Sequence, residues 1–191
     1  MRRDRRPARG GRGRSGDRNR DRDHEFDHQL IDLARVTRVM AGGKRMRFRA
    51  CVIIGDHKGR VGFGVMKGAD VQMAINKAMT KAKKHLIRVP MVNATIPHEV
   101  YYKEGSAKVL LRPARTGRGI IAGGSIRAVL ELAGVHNVVS KMLGSNNKIN
   151  NVRSTILALS QLKTKERYQA LAKFSKKPTE PVSETPRSPK E

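Results

Sequence analysis

The chain has 191 residues, with 41 Lys and Arg against 16 Asp and Glu, a formal charge of +25. That length holds one ordinary domain or two small ones, and a positive excess on this scale repels itself in a compact state unless a polyanion neutralises it. No apolar run approaches bilayer length, the N-terminus has no apolar signal core, and neither end carries a long amphipathic helix with bulky anchors, so nucleic acid rather than a membrane is the expected partner.

Residues 1–25 are mostly Arg, Gly and Asp, with almost nothing to bury. Such a segment cannot offset the entropy of ordering itself and is expected to be a disordered basic arm that adds phosphate contact. At its end, HEFDH (24–28) fits H-E-x-x-H. A zinc enzyme needs that motif on a helix and a third ligand; a helix is doubtful beside the arm and no third ligand is evident, so no metal is expected.

The first folded unit is placed at 26–92. RVTRV (35–39) reads as a strand, AGGK (41–44) as a turn, and from Met46 the residues alternate: Met46, Phe48, Ala50, Val52 and Ile54 on one face, Arg45, Arg47 and Arg49 on the other. A period of two marks a strand with one face on a core and the other beginning basic. GDHKG (55–59) is a second turn, and RVGFGVM (60–66) a third strand, flanked by Arg60 and Lys67. Cys51, the only cysteine, lies inside the apolar run, which excludes an intrachain disulfide and is consistent with a reducing cytosol. Over 69–89 the period becomes helical, with Asp70 as N-cap and Val71, Ile75, Ala78, Ala82 and Leu86 as the apolar stripe. Lys77, Lys81, Lys84 and Arg88 line another face. The order β-β-β-α resembles a double-stranded-RNA-binding domain without its first helix, and phosphate contact is expected from part of this unit.

The second unit is placed at 93–174. IPHEVYYKEGSAKVLLRPA (96–114) reads as two strands around KEGS, followed by a glycine segment, a helix near Ser125–Leu132, a strand within 135–142 and a last helix carrying Val152, Ile156, Leu159 and Leu162. The pattern β-β-α-β-α makes a small C-terminal α+β domain. Residues 175–191, rich in Pro, Ser and Glu, are expected to be a disordered tail. The fold class is therefore α+β throughout.

Gly117, Gly119 and Ala122 fit the spacing of a dinucleotide-binding turn. The following strand, however, supplies Lys141 where that fold wants an acidic residue for the ribose, and too few residues remain for a doubly wound sheet. Ile120 and Ile121 are expected to pack rather than leave room for a cofactor. No Ser/His/Asp arrangement suggests a catalytic triad. Neither an enzyme nor a cofactor is expected. With no Trp, three Tyr and four Phe, contacts to phosphate, sugar and duplex shape are favoured over base stacking.

VTRVMAGGKRMRF, VIIGDHKGRVGFG, AINKAMTKAKKHL, GRGIIAGGSIRAVLELAGVHNV and GSNNKINNVRSTI, spread over about Leu30 to Leu162, together resemble the bacterial form of the small-subunit ribosomal protein five family. The resemblance implies a structural component of the small ribosomal subunit in the cytoplasm, bound to small-subunit rRNA near the mRNA entry channel. It also implies small-subunit proteins four and eight as neighbours and an influence on translational accuracy. It assigns a projecting hairpin with Arg35, Val36, Val39, Gly42, Gly43 and Lys44 to rRNA. Ala41 stands where the family usually has Lys, and Lys44 where it has Arg; Arg38, Arg45 and Arg47 offset that change. Met66-Lys67 and Gln72-Met73 also depart from the family pattern, at the entry to the first helix. Gly117, Gly119, Gly123, Gly124 and Arg127 match the segment that meets rRNA and protein four, with Arg118 adding charge where a small polar residue is common. The candidate RNA contacts are thus Arg35, Arg38, Gly42, Gly43, Lys44, Arg45, Arg47, Arg49, Arg60, Lys67, Arg118 and Lys141. The main alternative is a free RNA-binding or annealing module.

Overall fold

The computed structural model describes residues 26–163. The expectations for the basic arm, the C-terminal tail and the residues His24 and Glu25 lie outside the described residues.

Strands β1 (Asp27–Met40) and β2 (Gly43–Gly55) form a long antiparallel hairpin around Ala41 and Gly42, in register from Asp27↔Gly55 to Met40↔Gly43, with one shift between Leu30 and Asp32. The first strand begins well before the RVTRV segment that marks it in the sequence. Strand β3 (Arg60–Gly68) pairs with β2 only from Gly55 to Phe48. Among the described residues the hairpin beyond Phe48 therefore has no third strand, and it projects from the sheet.

Helix α1 (Val71–Lys84) starts at Asp70, whose carboxylate accepts the Gln72 amide at 3.3 Å. Its buried residues are Ala74, Ala78 and Ala82. The expected stripe shared only Ala78 and Ala82 with this set; Val71 and Ile75 flank it half-buried, and Leu86 lies beyond the helix. The reason is across the interface, where β3 presents glycines. A Cβ on Gly64 would stand 2.1 Å from the Ala78 carbonyl oxygen, and one on Gly68 2.6 Å from the Ala74 amide. Small residues on both sides bring helix and strand backbone into contact, leaving no space for a large side chain. The helix is also shorter than expected. Ile87–Arg88 forms a two-residue strand, β4, paired with β3, so Arg88 leaves the row begun by Lys77, Lys81 and Lys84.

The linking segment turns at Asn93 and Ala94, both at positive φ, and the amide and carbonyl of Val92 exchange hydrogen bonds with those of Thr95. Strands β5 (Val100–Glu104) and β6 (Ala107–Pro113) form the second hairpin. Then come β7 (Ile120–Ile121), α2 (Gly124–Ala133), β8 (Val138–Met142) and α3 (Lys148–Ser160). The second sheet runs β5-β6-β8-β7, with β7 parallel to β8. The expected β-β-α-β-α order is present with the short β7 added inside the glycine segment. Of the two isoleucines expected to pack there, Ile120 does, against the core, whereas Ile121 is 48% exposed on the outer side of the strand.

The first sheet is buried on both faces. Ala50, Val52 and Ile54 meet α1, while Ile53 and Val61 join a cluster with Val109, Leu111, Ile126, Leu130, Val152 and Leu159 of the second unit. The β2–β3 turn also docks on the C-terminus of α2: the His57 and Gly59 amides donate to the carbonyls of Leu132 and Ala133 at 3.0 and 2.9 Å. Free C-terminal carbonyls of that helix are thereby satisfied from outside it. The two units are thus one packed body from which the β1–β2 tip extends.

Candidate nucleic-acid interface

Opposed residues of an antiparallel ladder point to the same face, so the register sorts the basic side chains of the hairpin. Arg38 faces Arg45, Val36 faces Arg47, and Arg49 faces Lys67 on β3. These form one face. Arg35, opposite Phe48, and Lys44, opposite Val39, belong to the other. On the first face Arg38, Arg45, Arg47 and Lys67, with Val36, Thr37 and Met40, line a hollow of about 220 Å³. Four cations converge there, and among the described residues no carboxylate lines it. All four are exposed. Gly42 sits in the turn at the tip, and Gly43 has φ 136°.

Two other candidates are held by carboxylates of the chain. Arg49 is half-buried and pairs with Asp32 at 3.3 Å, outside the lining of the hollow. Arg60 lies at the opposite end of the sheet, 2.6 Å from the Asp56 carboxylate and stacked over the Phe26 ring. Asp56 also accepts the amides of Lys58 and Arg60 at 2.9 and 2.8 Å. Burial pushes its carboxyl upward, but the Arg60 side chain and these amides outweigh that and hold it below the ordinary carboxylate range. Neither Asp32 nor Asp56 stands out in the sequence as a partner, since the first pairing crosses the ladder and the second needs the turn to form.

Lys141 is distant from the hairpin, exposed on the outer face of the second sheet opposite Leu110. Arg118 is exposed in the glycine segment. Gly117 and Gly119 have φ of 88° and 73°, and the amides of both donate to the side-chain oxygen of buried Asn137, at 3.1 Å each. The segment therefore turns these donors inward onto an internal amide instead of offering them to a phosphate. Asn137, the residue that decides this, is a buried polar side chain beside the apolar run of β8. Its only sign in the sequence is that break in apolar character.

Gly123 is fixed by packing, since a Cβ there would stand 2.3 Å from Cε of Met142. Gly124 differs: nothing lies within 4 Å of a Cβ built on it, and its φ is ordinary. Among the described residues, no contact requires glycine at that position. Arg127, one turn on, is exposed and pairs with Glu131 at 2.8 Å. Gly124 and Arg127 thus share an open surface at the start of α2.

Of the residues that suggested other chemistry, His28 lies on β1, a strand. Among the described residues, no three His, Cys, Asp or Glu side chains gather as metal ligands. No described helix is long and apolar enough to cross a membrane. Cys51 is fully buried, and burial, followed by the charge of Asp32, pushes its thiol up to about 11. It is an inert core side chain rather than a nucleophile.

Two protein-family models match the chain. The first, Ribosomal protein S5, N-terminal domain, covers residues 26–90. The second, Ribosomal protein S5, C-terminal domain, covers residues 102–173.

Proposed function

The chain belongs to the ribosomal protein S5 family, and from that premise we propose that it is a structural component of the small ribosomal subunit, held there by small-subunit rRNA. The hollow of Arg38, Arg45, Arg47 and Lys67 carries this reading. Four cations crowded together without a carboxylate destabilise the free fold and become favourable when phosphates replace their counterions. The projecting hairpin suits that role, because two strands without a third can enter a groove that a full sheet cannot. Arg35 and Lys44 on its other face, with Gly42 and Gly43 at the tip, extend the contact to a second run of phosphates. Arg118 and Lys141 add exposed charge elsewhere, while Arg49 and Arg60, each already paired with an aspartate, contribute least.

The open surface around Gly117, Gly119, Gly123, Gly124 and Arg127 is the proposed meeting place with neighbouring small-subunit proteins, protein four first and protein eight in addition. Gly124 supports it, as a glycine that no contact among the described residues requires. Placement near the mRNA entry channel and an influence on accuracy belong to the same proposal, as does residence in the cytoplasm as part of the small subunit. The test is co-sedimentation of the tagged chain with small subunits through a high-salt wash. Retention on the particle is expected. Recovery in the supernatant, with RNA binding intact, would make the chain a free RNA-binding or annealing module instead.

A further inference from the structure

Among the described residues the second sheet is covered on one side only. Val100, Val109, Leu111 and Val138 point inward, to the core shared with α2 and α3. Strand alternation turns the residues between them outward. The register aligns these in rows: Tyr101 beside Leu110 beside Lys141, Lys103 beside Lys108, and Arg112 beside Val139 beside Ile121. Tyr101 is 54% exposed, and Lys103, Arg112 and Lys141 are exposed with it. We propose that this outer face binds single-stranded RNA, with one base stacked on Tyr101 and the backbone held by Lys103, Lys108 and Lys141. It is a second RNA surface, on a different sheet from the hairpin, and does not depend on the hairpin contacts.

Three observations select this occupant. The first is charge. Lys103 and Lys108 stand directly opposite each other, a like-charge pair that is unfavourable in the free protein. Among the described residues neither they nor Lys141 has a carboxylate partner, since Glu99 is taken by Arg112 at 3.0 Å and Glu104 by Arg153 at 3.1 Å. A polyanion relieves that repulsion. The second is residue type. Lysine is depleted from protein–protein interfaces, so three unpaired lysines in one patch favour phosphates over a neighbouring protein. The third is the ring. Of the Phe and Tyr side chains among the described residues, only Tyr101 is exposed. Alternate residues of a strand stand about 7 Å apart, so a base on Tyr101 leaves its flanking phosphates within reach of the lysines around it. A duplex keeps its base faces stacked inside, whereas a single strand can offer one to an aromatic ring. The scarcity of aromatics in the sequence argues against a broad stacking platform, but one ring beside three lysines suffices for one base.

Oligouridine titrated into the full-length chain tests the proposal, read by fluorescence anisotropy and by amide chemical shifts. Amides of β5, β6 and β8 around Tyr101, Lys108 and Lys141 are expected to move. Tyr101→Ala should weaken binding about fivefold or more, while Tyr101→Phe, which keeps the stacking ring, should stay within about twofold of the parent. Lys103→Gln, Lys108→Gln and Lys141→Gln together should lower the salt slope for oligouridine by about 2, the share of three phosphates on a single strand. An unchanged affinity for Tyr101→Ala would overturn the proposal. So would an equal loss of affinity for a blunt RNA duplex, because the ring would then be acting without a base. If a neighbouring protein covers the face instead, oligouridine leaves these amides unmoved. A benzophenone carried by Leu110→Cys then labels protein rather than rRNA in assembled subunits, with buried Cys51 escaping the label. That result also overturns it. The measurements on the free chain involve no ribosome, so their failure leaves the ribosomal reading standing.

Discussion

Arg38 and Arg45 stand directly opposite each other in the β1–β2 ladder. A cross-strand pair of like charges is unfavourable in the free protein by some tenths of a kcal/mol up to about 1 kcal/mol. Arg38→Gln should therefore make the isolated chain slightly more stable to urea while weakening its binding to small-subunit rRNA. The slope of log affinity against log salt should fall by about 1, the loss of one phosphate contact. Replacing Arg45 and Arg47 together by Ala should lower it by about 2. Filter binding over a series of salt concentrations reads both, and an unchanged slope in the double variant removes the hollow from the interface.

Arg49 supplies the contrast. It lies on the same strand face but is tied to Asp32, so Arg49→Gln should leave the salt slope nearly unchanged. Stability should fall instead, because the half-buried Asp32 carboxylate loses its partner, by about 1–3 kcal/mol. Urea unfolding alongside the binding series separates the two roles.

Gly124 allows stability and assembly to be separated at a single position. Its φ is ordinary, it opens α2, and a Cβ there meets nothing. Gly124→Ala should hold or raise the stability of the free protein by about 0.4–1 kcal/mol, through the lower entropy of the unfolded chain. Incorporation into small subunits, measured by competition with the parent chain, should nevertheless drop if a neighbouring backbone approaches that surface. Equal incorporation would withdraw Gly124 from the protein interface.

What could be read in advance followed from periodicity. The alternation from Met46 to Ile54 marked β2 and put Arg45 and Arg47 on one face of it, because successive side chains of a strand alternate. The apolar face meets α1 only from Phe48 onward, and Met46, expected on the core, is 52% exposed on the projecting tip. Strands of two residues have no period to show, so β4 and β7 were missed. The α1 stripe was right at Ala78 and Ala82, with Ile75 and Leu86 packed beside them, but it missed Ala74: alanine carries little hydrophobic signal, and its fit to glycines on β3 is a relation between distant segments. The same holds at the site. Whether an arginine is available depends on Asp32 or Asp56 reaching it through the fold. The direction of the Gly117 and Gly119 amides depends on Asn137, twenty and eighteen residues further along the chain.

Asn137 can be tested directly. Removing its side chain leaves two amides of the glycine segment without their acceptor, one of them half-buried. Asn137→Ala should cost about 1–3 kcal/mol of stability, and exchange of the Gly117 and Gly119 amides should accelerate. His136→Ala, at the exposed neighbouring position, should stay within about 0.5 kcal/mol of the parent. Comparable losses in both variants would show that the inward hydrogen bonds do not hold the segment.

Cys51 makes a prediction about alkaline pH. Burial, with Asp32 nearby, raises its thiol from 9.0 to about 11. The folded state therefore holds this proton more tightly than the unfolded chain does. The associated stability is complete below about pH 9 and is lost as pH rises from there through about 11. At about 1.4 kcal/mol per unit, the decline amounts to roughly 2 kcal/mol. Cys51→Ala gives up some packing at every pH but has no thiol to ionise. Urea unfolding at pH 8, 9, 10 and 11 should show the difference in stability between parent and variant narrowing as pH rises. A constant difference would mean that the thiol keeps its ordinary acidity in the fold, which is incompatible with the fully buried position of Cys51 on β2.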